Sequence, residues 1–184
     1  MKRLLLSVLV IITISQYFWR EWSQQPEVVT EYDPVAQADY TIEALSRRQF
    51  DENGHLHTQL DAEQLEHYQD LQFTYFQQPK YILYSSAQQQ HWLIQANESV
   101  IYDNRNLELE GDVQVIASHP DEWFNTLYVE QLNMDLQAQT ISTSSAVNAV
   151  ADKLKFSGQG LRGNLQTQEF ELINHVRAEY LVKN

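Results

Sequence analysis

The chain has no cysteine among its 184 residues. That excludes a disulfide framework, a thiolate metal site, a lipid-modified cysteine and a cysteine nucleophile, but not an oxidising compartment. Basic residues are scarce. Twelve Lys and Arg stand against 25 Asp and Glu, a formal charge of −13. After Pro26 the imbalance grows, because nine of those bases and 24 of those acids lie beyond it. A domain of that sign repels nucleic acid and gains little from anionic lipid head groups. Glycine is limited to five residues and proline to four. Gly158, Gly160 and Gly163 cluster, yet no Lys-Ser or Lys-Thr follows them, so they make no phosphate loop. A sharp strand bend is the better reading. No G-x-S-x-G and no nucleotide motif occur.

What is present is alternation. Leu107 to Val115 reads LELEGDVQV. Leu107, Leu109, Val113 and Val115 share one parity, and Glu108, Glu110, Asp112 and Gln114 the other. Period two with one dry face and one wet face is the requirement of a half-buried strand. Gly111 interrupts the apolar parity, which predicts a bulge or the close approach of another backbone. The pattern recurs. At an offset of 34 residues Leu93 meets Leu127, Leu107 meets Ile141 and Val113 meets Val147. The same offset backwards pairs Ile94 with Leu60, Leu107 with Phe73 and Leu109 with Tyr75. A further copy runs through Phe170, Leu172, Asn174, Val176 and Ala178. Polar turns at Gln69-Asp70, Asp103-Asn104, Gln137 to Gln139 and Thr167 to Glu169 divide each copy, so successive β-hairpins are expected.

Three regions follow. Lys2-Arg3 precede an apolar run from Leu4 to Trp19, a little short of a bilayer core of about 30 Å at about 1.5 Å per residue. Tyr17, Trp19 and Trp22 sit where an interfacial aromatic belt would be. No A-x-A cleavage site follows, which favours an uncleaved anchor over a signal peptide. Residues 1–23 are thus expected to be a transmembrane helix with a cytoplasmic N-terminus, and 24–37 a linker. The bulk of the chain would lie across the membrane, in the periplasm if the source is a Gram-negative bacterium. Residues 38–184 form the β-domain. Within it Ala38 to Leu45 could be an edge strand, and Asp51-Glu52-Asn53-Gly54 is a hairpin turn. Ala62 to Tyr68 could be a short helix, but the repeat argues for strand. Phe76 breaks parity and Pro79 removes a ladder donor, which predicts a bulge or an edge there. Ser85 to Gln90 and His119 to Glu122 read as loops, and Glu169 to Val182 as a last strand with an unblunted edge.

Candidate catalytic groups do not converge. His55 and His57 share a strand face without an evident third ligand, and exposed turn histidines are the simpler account. His67, beside Glu66 and Tyr68, reads as a satisfied structural residue. Asp51-Glu52 and Asp121-Glu122 are adjacent loop carboxylates. No enzyme and no cofactor is expected. A sheet that curls without closing would leave an apolar trough. Its side chains could shelter acyl chains, at about 0.8 kcal/mol per buried methylene, or simply pack on one another. The residues alone leave both open.

Several ordered motifs resemble the LptC family. They are the anchor, the turn DENG with Leu56, A-x-x-L-x-H-Y (Ala62, Leu65, His67, Tyr68), F-x-x-P (Phe76, Pro79) and W-x-x-x-A (Trp92, Ala96). L-x-G-x-V (Leu109, Gly111, Val113), G-x-x-G-N (Gly160, Gly163, Asn164) and V-x-x-x-Y (Val176, Tyr180) follow. That family is the bitopic inner-membrane component of lipopolysaccharide export. The resemblance implies an all-β, twisted, partly open β-jellyroll of successive hairpins. It implies passage of lipopolysaccharide from an inner-membrane ATP-binding-cassette transporter to a periplasmic bridge protein, with energy from the transporter. Lipid contact is expected at the inward parity, Leu60, Phe73, Leu109, Val113, Val129, Phe156 and Val176, with Phe76 added by the resemblance and Leu45 at the entrance. The N-terminal edge near Leu45 to Gly54 would meet the transporter. The C-terminal edge, with Glu171, Val176, Ala178 and Tyr180, would continue into the bridge protein. A lipid-free scaffold that holds partners by its sheet edges, and an anchored envelope hydrolase, remain as alternatives.

Overall fold

The computed structural model describes residues 37–84, 90–118 and 124–180. The expected anchor, all but the last residue of the expected linker, and the loops around 85–89 and 119–123 lie outside the described residues. What is described is one antiparallel sheet of eleven strands. They are β1 (Tyr40–Phe50), β2 (Leu56–Tyr68), β3 (Phe73–Gln77), β4 (Lys80–Tyr84), β5 (Gln90–Gln95), β6 (Glu98–Tyr102), β7 (Asn106–Ala117), β8 (Thr126–Asp135), β9 (Thr140–Val150), β10 (Leu154–Asn164) and β11 (Glu169–Tyr180). Residues 62–68 are strand, not helix.

The order is a meander. β3 and β4 lie end to end along β2, with Gln64 opposite Gln77 and Asp61 opposite Lys80. β5 and β6 lie end to end along β7 in the same way, with Gln95 opposite Gln114 and Glu98 opposite Glu110. β3 pairs β6 and β4 pairs β5. The hairpins between β2 and β3, β6 and β7, β8 and β9, and β10 and β11 turn where the polar segments predict. Among the described residues β1 and β11 are the two edges, each paired on one side.

A seam of irregular residues crosses most of the long strands near their middles. Ala44 (φ 53°), Gln78 (φ 49°), Gly111 (φ 77°), Asp112 (φ 48°), Gly160 (φ 78°) and His175 (φ 53°) all adopt the left-handed region. Pairing shifts between Glu110 and Val113, between Val129 and Asn133, and around Gly158 to Leu161. Bulges bend and twist the strands that carry them. Aligned in neighbouring strands, they fold the sheet over itself. At Gly111 the fold requires glycine: a Cβ there would stand 2.7 Å from the Asn97 side-chain amide. The Asn97 N–H donates to the Gly111 carbonyl at 2.9 Å, and the Gln78 N–H to the Asn97 carbonyl at 2.8 Å, which carries the bonding across the seam.

The inner faces of the folded sheet make the core. Leu107, Leu109, Val113 and Val115 are buried, as the alternation requires. The inward parity switches where strands cross the seam, from Ala62 to Leu65 in β2 and from Val129 to Leu132 in β8. The switch corrects one expectation. Phe73 was expected on the inward parity by alignment with Leu107, but Phe76 is the buried residue of β3 and Phe73 stands on the opposite parity. Phe73 stacks instead between Tyr68, at 4.7 Å, and Tyr102, at 6.2 Å. Leu93, aligned with Leu127, likewise lies between the buried Trp92 and Ile94.

Candidate functional site

The two halves of the folded sheet meet differently at their two ends. Towards β10 and β11 they are zipped. The Trp92 indole N–H donates to the Leu165 carbonyl at 3.0 Å. Phe124 lies 5.7 Å from Trp92, and Phe170 lies 5.1 Å from Phe124 and 5.7 Å from Trp92. These rings fill the space with edge and tilted contacts of the favourable kind.

Towards β1 the halves stand apart around a cavity of about 580 Å³. β1 supplies Tyr40, Ile42, Leu45, Arg47 and Gln49 to its wall. β2 supplies His57, Thr58, Leu60 and Leu65; β3 supplies Thr74 and Phe76; β4 supplies Tyr81 and Leu83. Ile101, Asn104, Leu136 and Gln137 close it from the other half, through β6 and two hairpin turns. Those turns are tied together: the Leu136 N–H donates to the Arg105 carbonyl at 3.0 Å, and Arg105 bonds Asp135 through Nε at 2.9 Å and Nη2 at 2.6 Å. The cavity floor is apolar. Burial pushes the Tyr81 phenol up, against the opposing pulls of the Ser99 hydroxyl, 3.3 Å away, and of the Arg47 charge. Tyr81 therefore stays neutral. A shallow hollow of about 640 Å³ on the outer face is ringed by the charged side chains of Glu43, Asp61, Glu63 and Lys80.

Three of the expected lipid-contact residues, Leu45, Leu60 and Phe76, come together on this wall. Leu109, Val113 and Val129 do not reach it; they are buried against neighbouring strands at 1%, 0% and 5% exposure. Phe156 packs beside the core further along, and Phe73 faces the other side. Val176 is corrected from an inward to an open position, 58% exposed on β11. Glu171, Ala178 and Tyr180 are also exposed on that edge strand. Gly54 lies in the β1–β2 turn (φ 80°), where Asp51 Oδ1 accepts the N–H groups of Asn53 and His55. Arg47, Leu65, Tyr81, Ile101 and Leu136 were not expected at the site. The β1–β2 register holds the missing signal for one of them, since Arg47 stands opposite Leu60.

Comparison with known proteins adds a family. The family model described as "Lipopolysaccharide-assembly, LptC-related" matches residues 5–181. The chain is 28% identical over 179 residues to a lipopolysaccharide export system protein LptC of Escherichia coli K12, covering 97% of this chain and 91% of that one. The LptC of Shigella flexneri matches to the same extent. Among solved structures, the fold is similar to that of LptH from Pseudomonas aeruginosa, described as the LptA-homologous periplasmic component of the lipopolysaccharide transport device. The TM-score is 0.52 at 8% identity, over 69% of this chain and 95% of that one. That likeness is one of fold.

Proposed function

Because the chain belongs to the LptC family, we propose that it takes part in lipopolysaccharide transport and carries the lipid's acyl chains in the cavity beside β1. The observation that carries this reading is the hollow of about 580 Å³ beside β1, whose apolar wall is made by Leu45, Leu60, Phe76 and Leu83. Each methylene moved from water to such a wall contributes about 0.8 kcal/mol, so partial cover of several chains suffices. The N-terminal apolar run anchors the chain in the inner membrane. Edge strand β1 and the turn at Gly54 face the ATP-binding-cassette transporter that delivers the lipid. Edge strand β11, through Glu171, Val176, Ala178 and Tyr180, adds to the sheet of a periplasmic bridge protein. Two edges with unpaired backbone groups and exposed apolar side chains favour strand addition at both. The chain itself catalyses nothing; the transporter's ATPase supplies the energy.

Site-specific photocrosslinking in cells tests the carrier role. Photoreactive residues at Leu45, Phe76 and Leu136 are expected to capture lipopolysaccharide, and one at Glu108, on the outer face, is not. No adduct at any cavity position, in a chain that still binds its partners, would leave a lipid-free scaffold.

A further inference from the structure

Among the described residues, the cavity differs in charge from the hollows around Glu169, Glu98, Glu130 and Glu43. No Asp or Glu lines it, although acids outnumber bases by 25 to 12 overall. One guanidinium does. Arg47 pairs with the buried Leu60 across the β1–β2 ladder, so both project from the same face. Arg48, the next residue, projects from the other. Among the described residues Arg47 has no carboxylate partner; the ion pairs there join His55 to Asp51 and Arg105 to Asp135. The other polar wall groups near the mouth are neutral amides and hydroxyls with His57, whose Nε2 lies 3.5 Å from the Gln139 amide. In an acidic chain, an inward cation that meets no acid is a site waiting for an anion. A guanidinium fork matches two oxygens of a phosphate.

Resting on the carrier reading, we propose that Arg47 is an anion subsite at the mouth of the cavity, which takes a phosphate of the amphiphile's head group while its chains lie against Leu60, Phe76 and Leu83. The subsite fixes the lipid's polarity in the cavity, head outward and chains inward. It also prefers phosphorylated over dephosphorylated lipid.

The test uses the full-length chain in detergent, titrated with lipopolysaccharide, with the same lipid after enzymatic dephosphorylation, and with inorganic phosphate. The wild type and R48Q are expected to hold the phosphorylated lipid about tenfold more tightly than the dephosphorylated one. R47Q is expected to lose that preference while keeping its affinity for the dephosphorylated lipid. Arg47 is exposed at the mouth, so the substitution leaves the fold intact. An equal loss for both lipids in R47Q, or no loss, overturns the subsite and leaves the carrier standing. Wild-type affinity that ignores phosphorylation does the same. Binding of neither lipid by the wild type brings down the carrier reading and the subsite with it. Displacement of Arg47 contacts by millimolar inorganic phosphate, without competition by lipid, assigns the site to free anion and also overturns the proposal.

Discussion

The two ends of the folded sheet are built from the same alternating strands, yet one is full and the other hollow. The full end stacks Trp92, Phe124 and Phe170 between its halves and closes them with the bond from Trp92 to the Leu165 carbonyl. The hollow end offers Phe76 and Tyr81, 6.5 Å apart on one wall, and small polar Thr58 and Thr74 where large rings would be needed. Its outer strand, β1, is exposed along most of its length. Alternation therefore decides which face of a strand is inward. It does not decide whether that face is covered. Cover depends on whether bulky side chains arrive from the opposite half, as they do, among the described residues, around β5, β10 and β11.

The largest effect expected from that contrast is on stability. Trp92→Ala empties a fully buried site and orphans a carbonyl, so a loss of about 3–5 kcal/mol is expected. Phe76→Ala removes a ring of similar apolar character, but from the wall of a space already open. No new closed void is left, and the loss should approach the transfer cost alone, about 2 kcal/mol. Urea midpoints of the two variants measure the difference. Equal losses would mean that the cavity beside β1 is closed in solution and that the ends are not distinct.

Glycine substitutions separate the ends by mechanism, with a smaller effect. A Cβ on Gly163 would collide with Phe170 Cδ1 and stand 3.2 Å from Ile141 Cγ1. Gly163→Ala therefore overpacks the full end, and a cost of about 1–3 kcal/mol is expected. A Cβ on Gly54 meets nothing within 4 Å, but the residue holds φ 80°. Gly54→Ala is expected to cost about 1 kcal/mol from backbone strain alone. Gly54→Asn, which tolerates the left-handed region, should recover part of it, whereas Gly163→Asn should be worse than Gly163→Ala. Denaturation of the four variants checks the ordering. Recovery at Gly163 and none at Gly54 would reverse the assignment.

Much of this was legible in the residues, and the failures have one physical source. The strands, the hairpin turns, the bulge at Gly111 and the bend at Gly158 to Gly163 follow from parity and from the steric roles of glycine and proline. The family resemblance, carried by weak motifs in order, pointed to the jellyroll. The set of residues that lines the cavity was less legible. Leu109, Val113 and Val129 have the right parity but sit where the two halves already touch, and no local pattern reports what lies across a fold. Phe73 was misplaced because the bulge at Gln78, just after β3, shifts parity, so the 34-residue alignment runs one position out along β3. Phe76, which seemed to break the pattern, keeps it once the bulge at Gln78 is counted. Arg47 was passed over because a cation in an edge strand reads as solvated unless its cross-strand partner is known.

The smallest expected effect concerns how the hollow end is held open. Asp135 ends β8 and organises the turn that carries Leu136 and Gln137 to the cavity. Its Oδ1 accepts the N–H groups of Gln137 and Ala138, both at 2.9 Å, while Oδ2 accepts from Arg105. The Arg105 hydrogen bond, and then the backbone donors, hold the carboxyl down at about 2, from an ordinary 3.8. A folded-state value below the unfolded one means stability that is present above the unfolded value and lost as pH falls towards the folded one. The loss therefore falls between pH 3.8 and about 2. The pair is solvent-accessible, so salt screens its charge attraction and the effect is modest. Asp135→Asn keeps the shape and removes the ionisation, so its stability should fall less steeply across that interval than that of the wild type. The turn it loosens supplies Leu136 and Gln137 to the hollow end, while its Gln139 carbonyl accepts from the Leu165 N–H of the full end at 2.9 Å. Acidification should then loosen the Leu136 side of the turn before the Trp92 ring cluster, whose indole fluorescence is read in a variant that keeps Trp92 and replaces the other three tryptophans. Parallel acid limbs in the two proteins would show that the turn is held by its backbone bonds alone, such as that from Leu136 to the Arg105 carbonyl, and that the ends respond to acid as one body.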